Sequence, residues 1–519
     1  MMCCLIGRWA GCAAAVALAL AMAGPAQATV YTADNAPAAP TLEELPLKES
    51  VTQYGITWTF ETPARVGQFV NGDYYVVGPV TVTAIDPKPR VGAEVGEDEL
   101  DANEKGLREK VADRVRNGSM LNPSATQKVG WDSGVKNWFR RNVVTVPPVS
   151  MKPGDSLVST ISLKLDEGAV TPYVGHRNMP PLKRAKGDNS PVKTAAVLTC
   201  MAEPQPADAF RPGYCDTTNR VYLARHLKRQ MLRTLPKPEN APKLETWVRV
   251  FQRPWVNLGF FGFDQPMENM PHYGQWVGQA QSMGGLMLML DFTAEEKEPL
   301  LVNMVQVGID YWSAVKNGHP GWEGWGGHGS GRKFPIVLAG VLLGDEQMAS
   351  PTAQFPKVNF GEDNQTMYGD CWTGAKVCFA GHSGKHQNDI PRPQWGPYEH
   401  MQPKDWQNKG DRKNYQSEAY RRANSSSSWP GQALAIRLLG AEKQWNHDAF
   451  FDYVDRWMYE NDKEFCQEIN KYFPDKSLVD EGATWFHQGQ AWEPFVTGMY
   501  LKHRPTLAAP TDGWKTGKP

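Results

Sequence analysis

The stretch GWGGHGSGRK, residues 324–333, runs directly into the apolar stretch FPIVLAGVLL, residues 334–343. Five of the first ten residues are glycines, which permit backbone conformations that side chains forbid. This glycine-rich run also contains His328, Arg332 and Lys333, and it lacks the spacing of phosphate-binding and dinucleotide-binding loops. The pattern predicts a loop that presents charged side chains to a small polar or anionic ligand and then leads into a buried helix.

The sequence on both sides of this loop has a helical pattern, from residue 241 to residue 505. Thr293 and Glu296 form a capping box at the start of one helix. Further helices are predicted at residues 271–290, 333–343, 418–439, 447–460 and 491–503. Residues 344–414 are rich in Gly, Pro and Asn and are too long for an ordinary connection, so we predict a functional lid or an insertion there.

The N-terminal half has the pattern of β-structure. Residues 55–60 alternate in polarity, residues 74–83 are β-branched and aromatic, and Asn71-Gly72 between them is a hairpin signal. We predict an antiparallel β-sandwich over residues 52–200, flanked by linkers at residues 29–51 and 201–240, and a tail at residues 506–519. The chain is therefore expected to be an α+β multidomain protein.

The first 28 residues have the order of a secretory signal peptide. A short basic start precedes an apolar run from Cys12 to Ala23, and a small-x-small site ends at Ala28. We expect cleavage after Ala28 and a periplasmic or secreted product. The apolar run is too short for a transmembrane helix, and no later run reaches about 18 apolar residues, so no membrane span is predicted.

The charge and the aromatic content narrow the class of partner. The formal net charge is -1, which argues against nucleic acid and anionic membranes as partners. The chain contains 19 Trp and 17 Tyr. In secreted proteins such residues commonly form platforms that stack on sugar rings, although most of them pack in the core.

The cysteines of the mature chain predict disulfide bonds, because an exported protein folds in an oxidising compartment. The expected pairs are Cys200 with Cys215 and Cys371 with Cys378, which leaves Cys466 as a buried thiol. The alternative for the second pair is a zinc site with four ligands, Cys371, Cys378, His382 and His386. Export and the lack of a CxxC spacing favour the disulfide, so no metal or other cofactor is predicted.

Four clusters in the helical half contain residue types used in catalysis and carbohydrate binding. The first, at a predicted helix start whose backbone amides favour anions, contains Glu268, Asn269, His272 and Tyr273. The second is the glycine-rich loop with Glu323, His328 and Arg332. The third contains Tyr420, Arg421, Arg422 and Asn424. A fourth, before the last helix, contains Glu481 and His487.

The first three clusters also have a structural interpretation, which for the glycine-rich loop is a solvated turn with an incidental histidine. An asparagine cap followed by proline explains part of the first cluster, and a charged outer helix face explains part of the third. The functional interpretation of the third cluster depends on Tyr420 and one of Arg421 and Arg422. Asn424, four residues after Tyr420, shares its face of a helix.

These residue types together suit proton abstraction next to a carboxylate. The sequence contains no Ser-His-Asp pattern and no nucleophile elbow. His272 or Tyr420 would remove a carbon-bound proton, and Tyr273 or Tyr420 would protonate the departing oxygen. The carboxylate would be bound, as it gains enolate character, by Asn269, His328 and Arg332. This reaction is β-elimination on a uronic-acid polysaccharide, and the other residues of the clusters are predicted to bind substrate.

The chain resembles the (α/α)-toroid polysaccharide lyases of the alginate lyase and heparinase type. The resemblance lies in a signal peptide, a β-sandwich and a helical region with Asn269, His272, Tyr273, His328, Arg332, Tyr420 and Arg421. It covers architecture over most of the chain and implies an (α/α)-toroid-like fold for residues 241–505. Those lyases usually place the helical domain first, whereas the β-domain leads here, as it does in some glycoside hydrolases with helical barrels.

Two other functions remain open from the sequence. A glycoside hydrolase needs two carboxylates that flank the scissile bond, and Glu268, Glu323 and Glu481 are available for that role. A non-catalytic polysaccharide-binding protein of the cell envelope would instead use its aromatic residues. In every case the predicted partner is an acidic or neutral polysaccharide, and the sequence does not fix the oligomeric state. Convergence of the clusters in one place would favour catalysis.

Overall fold

The computed structural model describes residues 28–100, 105–127, 130–132, 143–163, 192–256, 274–381, 399–406, 418, 420–474 and 488–517. Over these residues the protein is α+β, with a curled mixed β-sheet in the N-terminal half and helices in the C-terminal half. The predicted fold class is confirmed at this level. The predicted signal peptide, apart from Ala28, lies outside the described residues.

The N-terminal half is built around one eight-stranded sheet. Its described strands are β1 Leu47–Gln53, β2 Ile56–Gln68, β3 Tyr74–Val77, β4 Val80–Asp86, β5 Arg90–Val91, β6 Val115–Arg116, β7 Ser119–Leu121, β8 Val149–Met151, β9 Ser156–Ser162 and β10 Val192–Met201. The sheet has the order β7-β9-β10-β3-β2-β4-β8, with β1 paired to β2. Strands β5 and β6 pair separately.

The long strand β2 connects the two parts of this sheet, since residues 57–60 pair with β4 and residues 66–68 pair with β3. The predicted turn between β2 and β3 is confirmed: Gly72 has φ 86°, and its N–H donates to the Phe69 carbonyl at 2.8 Å. The prediction of a purely antiparallel sheet is wrong, because β10 runs parallel to β3. A parallel pair needs a long crossover connection, which local turn signals do not reveal.

The C-terminal half contains most of the helices. The described helices are α1 Lys105–Glu109, α2 Leu244–Phe251, α3 Gly274–Met287, α4 Ala294–Lys316, α5 Lys333–Leu343, α6 Glu346–Ala349, α7 Pro351–Gln354, α8 Gly361–Asn364, α9 Pro430–Leu439, α10 Glu442–Trp445, α11 Asp448–Tyr459, α12 Lys463–Tyr472, α13 Pro494–His503 and α14 Gly513–Thr516. Short strands accompany them: β11 Gly321–Trp322, β12 Asn359–Phe360, β13 Thr366–Tyr368 and β14 Val377–Phe379.

Helices α4 and α5 pack closely and fix the end of the glycine-rich loop. The capping box of α4 is formed as predicted: the Glu296 N–H donates to the Thr293 hydroxyl, and the Thr293 N–H donates to the Glu296 carboxylate. Helix α5 has the predicted bounds, and all of it except Leu343 is buried. A Cβ on Gly308 of α4 would lie 2.6 Å from Ala339 Cβ of α5, so only glycine permits this approach.

A buried ion triad joins the sheet to the helices. The Arg211 Nε donates to Asp73 at 2.6 Å, and its Nη2 donates to Asp310 at 2.7 Å. Asp73 follows the turn between β2 and β3, whereas Asp310 lies in α4. Arg211 lies in the segment predicted as a linker, and the three side chains are buried. This segment therefore holds the two halves together.

Residues 344–381, the first part of the predicted lid or insertion, are a folded component of the helical half. Strand β12 pairs in parallel with β11, and β13 pairs with β14. The side chains of Phe360 and Phe379 are fully buried. The remainder of the predicted lid is described only at residues 399–406, where Glu399 binds Arg456 of α11.

Candidate functional site

The glycine-rich loop connects β11 to α5, and its glycines are required by its backbone. Gly326, Gly327 and Gly331 have φ of 67°, 103° and 87°, in the region that L-residues with side chains avoid. A Cβ on Gly331 would also lie 2.6 Å from the Gly278 nitrogen of α3. The loop therefore presses its backbone against neighbouring elements, and the glycine density found in the sequence has a steric cause.

This loop contacts the start of α3, which follows the first predicted cluster in sequence, and the segment of the third predicted cluster. A Cβ on Gly326 would lie 2.6 Å from the Tyr420 ring, and one on Gly327 would lie 2.7 Å from the Asn424 carbonyl oxygen. A Cβ on Gly274, the first residue of α3, would collide with the His328 carbonyl. The start of α3, the loop and the segment from Tyr420 to Asn424 thus meet at one place.

The segment after Tyr420 is not the regular helix predicted for residues 418–439. Residues Arg421–Ser425 form a π-helical turn, residues Ser426–Ser428 form a 3-10 turn, and the α-helical geometry of α9 starts only at Pro430. The Gln275 side-chain amide of α3 donates to the Ala423 carbonyl within the π-helical turn. Such turns occur frequently at functional sites, and this one places both Tyr420 and Asn424 against the loop.

Arg421 and Arg422, predicted to bind substrate, lie in a buried ion-pair network. Both guanidinium groups bind Glu418, and Arg422 also binds Asp462. Although burial alone would raise the pKa of Glu418, the two guanidinium groups hold it well below its usual value. Removing either arginine would leave the buried Glu418 carboxylate with too little positive charge to offset its loss of hydration. Both arginines therefore stabilise the fold next to Tyr420, and neither of them is a substrate contact.

The cationic side chains of the loop also turn inward, contrary to the expectation that the loop presents them to a ligand. Arg332 is fully buried, and its Nη1 donates to the His328 carbonyl at 2.9 Å and to the Ser330 carbonyl at 2.6 Å. Lys333 is buried too, pairs with Asp363, and has its Nζ 4.8 Å from the centre of the Trp445 ring. Arg332 and Lys333 therefore stabilise the loop from its buried side.

Four predicted residues remain at the meeting point of the loop and the π-helical turn. His328 is 9% exposed, whereas Glu323, Tyr420 and Asn424 are half-buried. A Cβ on Gly329 would collide with the Glu323 carbonyl, so the residue after His328 packs against the backbone of Glu323. The loop and the π-helical turn packed against it thus carry a carboxyl, an imidazole, a phenol and an amide group. These groups are capable of acid–base chemistry and of hydrogen bonding to sugar oxygens.

Six predicted site residues lie outside the described part of the chain: Glu268, Asn269, His272, Tyr273, Glu481 and His487. The residues that directly follow Tyr273 and His487 in sequence are described. Gly274, which follows Tyr273, packs against His328. Gln488, which follows His487, accepts from Arg421, the residue next to Tyr420.

Sequence reasoning missed Glu362 of α8. The Gly331 N–H donates to its Oε1 at 2.5 Å, and the carboxyl group is fully buried. Burial raises the pKa of Glu362 to about 7, and the hydrogen bond from the Gly331 amide opposes this rise. The only sequence signal was the acidic pair Glu362-Asp363 inside a stretch that had been assigned to an insertion.

The described cysteines are all free thiols. Cys200 packs in the core of the sheet and Cys215 in the core of the helical half, so the predicted bond between them is not formed in the structure. Cys371 and Cys378 lie beside each other, with their Sγ atoms 2.7 Å apart, and their predicted disulfide stays a prediction. The described ranges hold no group of three or more His, Cys, Asp or Glu side chains suited to a metal ion; His382 and His386 lie outside them.

Comparison with protein-family models, curated proteins and solved structures found no match for this chain. Within the described ranges, no helix is both long enough and apolar enough to cross a membrane.

Proposed function

We propose that this protein is a secreted carbohydrate-active enzyme that cleaves a uronic-acid polysaccharide by β-elimination. The observation that carries the proposal is the contact of Tyr420 and Asn424 with Gly326 and Gly327, directly before His328. A phenol, an amide and an imidazole from two distant parts of the sequence are thereby brought together by the packing of the loop against the π-helical turn. Preorganised groups of this kind favour catalysis over simple binding.

Each of these groups has a role in the proposed reaction. Tyr420 takes the proton next to the sugar carboxylate or returns a proton to the departing oxygen, as a phenol is able to do in both directions. His328 and Asn424 donate hydrogen bonds to the carboxylate as it gains enolate character. His272 and Tyr273, next to Gly274 in sequence, are the further candidates for the base and the acid. The buried arginines have no direct part.

The finer architecture belongs to the same proposal. A β-sandwich over residues 52–200 followed by an (α/α)-toroid-like domain would place the glycine-rich loop at a groove wide enough for a sugar chain. The signal-peptide pattern supports release into the periplasm or the medium. The disulfide between Cys371 and Cys378 would form there.

A glycoside hydrolase is the second candidate function. The observation that favours it is Glu323, a half-buried carboxyl group in the same loop as His328. Hydrolysis requires a second carboxylate across the scissile bond, for which Glu268 and Glu481 are the sequence candidates.

The test is a screen of the purified protein on alginate, glucuronan, pectate, glycosaminoglycans and neutral glucans. A lyase produces an unsaturated, ultraviolet-absorbing product, whereas a hydrolase produces only new reducing ends. Tyr420→Phe is expected to lower the rate by about 100-fold or more, because it removes only the hydroxyl that moves the proton. The matched control is Tyr222→Phe, since the Tyr222 hydroxyl binds Asp345 just beyond the other end of α5. Equal loss in both variants, or none in Tyr420→Phe, would refute the assignment.

A further inference from the structure

Glu362 is a buried carboxyl group in direct contact with the loop that carries His328. Its side chain is 0% exposed, and its Oε1 accepts the Gly331 N–H at 2.5 Å. Its second oxygen, Oε2, is buried and has no hydrogen-bond partner among the described residues. A buried carboxyl group left half-satisfied costs stability, so a purely structural role would be better filled by an amide or an apolar side chain.

The loop backbone is held between Glu362 and Arg332. Arg332 donates to the carbonyls of His328 and Ser330, and Glu362 accepts from the Gly331 amide. The helix that carries Glu362 is also in close contact with the loop, because a Cβ on Gly361 would lie 2.9 Å from the Gly329 carbonyl carbon. Two buried side chains of opposite charge thus fix the carbonyl and amide groups of consecutive loop residues.

The charged and titratable groups around Glu362 come from three neighbouring elements and its own helix. Asp363, on the same helix, and Lys333, at the start of α5, act on it electrostatically. Arg332 approaches through the loop carbonyls. From the side of α11, the His447 ring binds Thr366, whose hydroxyl donates to the Glu362 carbonyl. Burial is the largest influence and raises the pKa of Glu362 to about 7; Asp363 adds to the rise, whereas the Gly331 amide and Lys333 oppose it.

We propose that Glu362 is a positioning residue of the candidate site, which acts through the Gly331 amide to fix the loop that carries His328. Its catalytic consequence rests on the proposed function. The ionised carboxylate is the stronger acceptor for the amide, so the loop is held most firmly when Glu362 is charged. Activity is therefore expected to decline on the acidic side of neutral pH as this group takes up a proton.

The first test measures the loop without any substrate. Hydrogen exchange of the amides in residues 324–333 is followed in the wild-type protein, in Glu362→Ala and in Glu298→Gln. Glu298 is the matched control, because it is also buried but binds Arg229 at the end of α4 remote from the loop. Glu362→Ala is expected to speed exchange in the loop by about tenfold or more, as the loss of a hydrogen bond to a charged acceptor predicts. Unchanged exchange would overturn the proposal.

The second test uses the polysaccharide that the screen identifies. Glu362→Ala is expected to lower kcat by about 10- to 100-fold, because a small displacement of His328 is enough to slow the chemistry. Glu362→Gln keeps an acceptor oxygen of the same shape without the charge, so at every pH it should show the reduced activity of the acidic wild-type protein and lose the acidic decline. A wild-type pH profile in Glu362→Gln would also overturn the proposal, and this variant carries the test if Glu362→Ala does not fold.

The two proposals fail in distinguishable ways. Faster exchange in Glu362→Ala, together with a wild-type protein that cleaves none of the polymers, would support the positioning role and reject the lyase. Cleavage by the wild-type protein with unchanged exchange and pH profile in the variants would support the lyase and reject the positioning role.

Discussion

The ion triad of Arg211, Asp73 and Asp310 makes a quantitative prediction about how the two halves of the protein depend on each other. Arg211→Met keeps most of the side-chain volume but removes the cation between two buried carboxylates. With charge centres roughly 4 Å apart and an effective dielectric constant of about 20, each pair contributes about 4 kcal/mol of attraction. Desolvation of the three charges offsets part of the resulting sum of about 8 kcal/mol. The expected net loss of unfolding free energy is about 3–5 kcal/mol.

The loss of unfolding free energy in Arg211→Met should be larger at high pH than at low pH. Burial raises the pKa of Asp310 to about 6 even though Arg211 opposes the rise, so removing Arg211 raises that pKa further. A carboxyl group whose pKa is higher in the folded than in the unfolded protein binds more protons when folded. Stability contributed by that group is therefore lost as pH rises through the interval between the two values. Arg211→Met should be less stable at about pH 8 than at about pH 5.

Urea denaturation of both proteins at these two pH values measures the effect. The control is Arg90→Met, because Arg90 pairs with Glu99 at 2.5 Å but is 35% exposed. An exposed pair is worth about 0–1 kcal/mol, so this control should change little. A loss below about 1 kcal/mol for Arg211→Met at about pH 8, or a loss equal at both pH values, would refute the reasoning.

Three further predictions concern single side chains. Gly326→Ala should lower stability by about 1–2 kcal/mol and reduce polysaccharide cleavage, because its φ is 67° and the new methyl group meets the Tyr420 ring; thermal melting and the activity assay check this. Glu362→Gln should flatten the pH dependence of unfolding, since burial raises the pKa of Glu362 from 4.5 to about 7 and the wild-type protein loses stability as pH rises through that range. Urea titrations on either side of the range show whether the slope persists. Tyr459→Phe should leave stability unchanged or raise it by up to about 1 kcal/mol, because its buried hydroxyl has no hydrogen-bond partner among the described residues; a clear loss in melting temperature would contradict this.

Local features of the fold were predictable because their causes are local. Helix α5 has its predicted bounds because a continuous apolar run begins where the glycine-rich loop ends. The capping box at Thr293 and the turn at Asn71-Gly72 likewise depend on residues that are neighbours in sequence. The parallel pairing of β10 with β3 depends on residues more than a hundred positions apart, and no local pattern encodes it.

The sequence indicated the residues of the candidate site and left open whether they converge. In the structure, Gly326 and Gly327 of the loop contact Tyr420 and Asn424, which are about a hundred positions away in sequence. The direction of each arginine depends on which carboxylate is available to it in space. Glu418 lies three and four residues before Arg421 and Arg422, a spacing that favours pairing and was visible in the sequence. The contact of Glu362 with Gly331 joins positions 31 residues apart and was not visible.

The π-helical turn Arg421–Ser425 has an evolutionary consequence. Such a turn accommodates one more residue than the regular helical path requires. Deleting one residue within it would restore that path, and since each residue of a helix turns by about 100°, Tyr420 would rotate away from Gly326 while α9 kept its packing. A single-codon insertion or deletion would thus gain or lose the phenol at the loop in one genetic step, with the surrounding scaffold preserved.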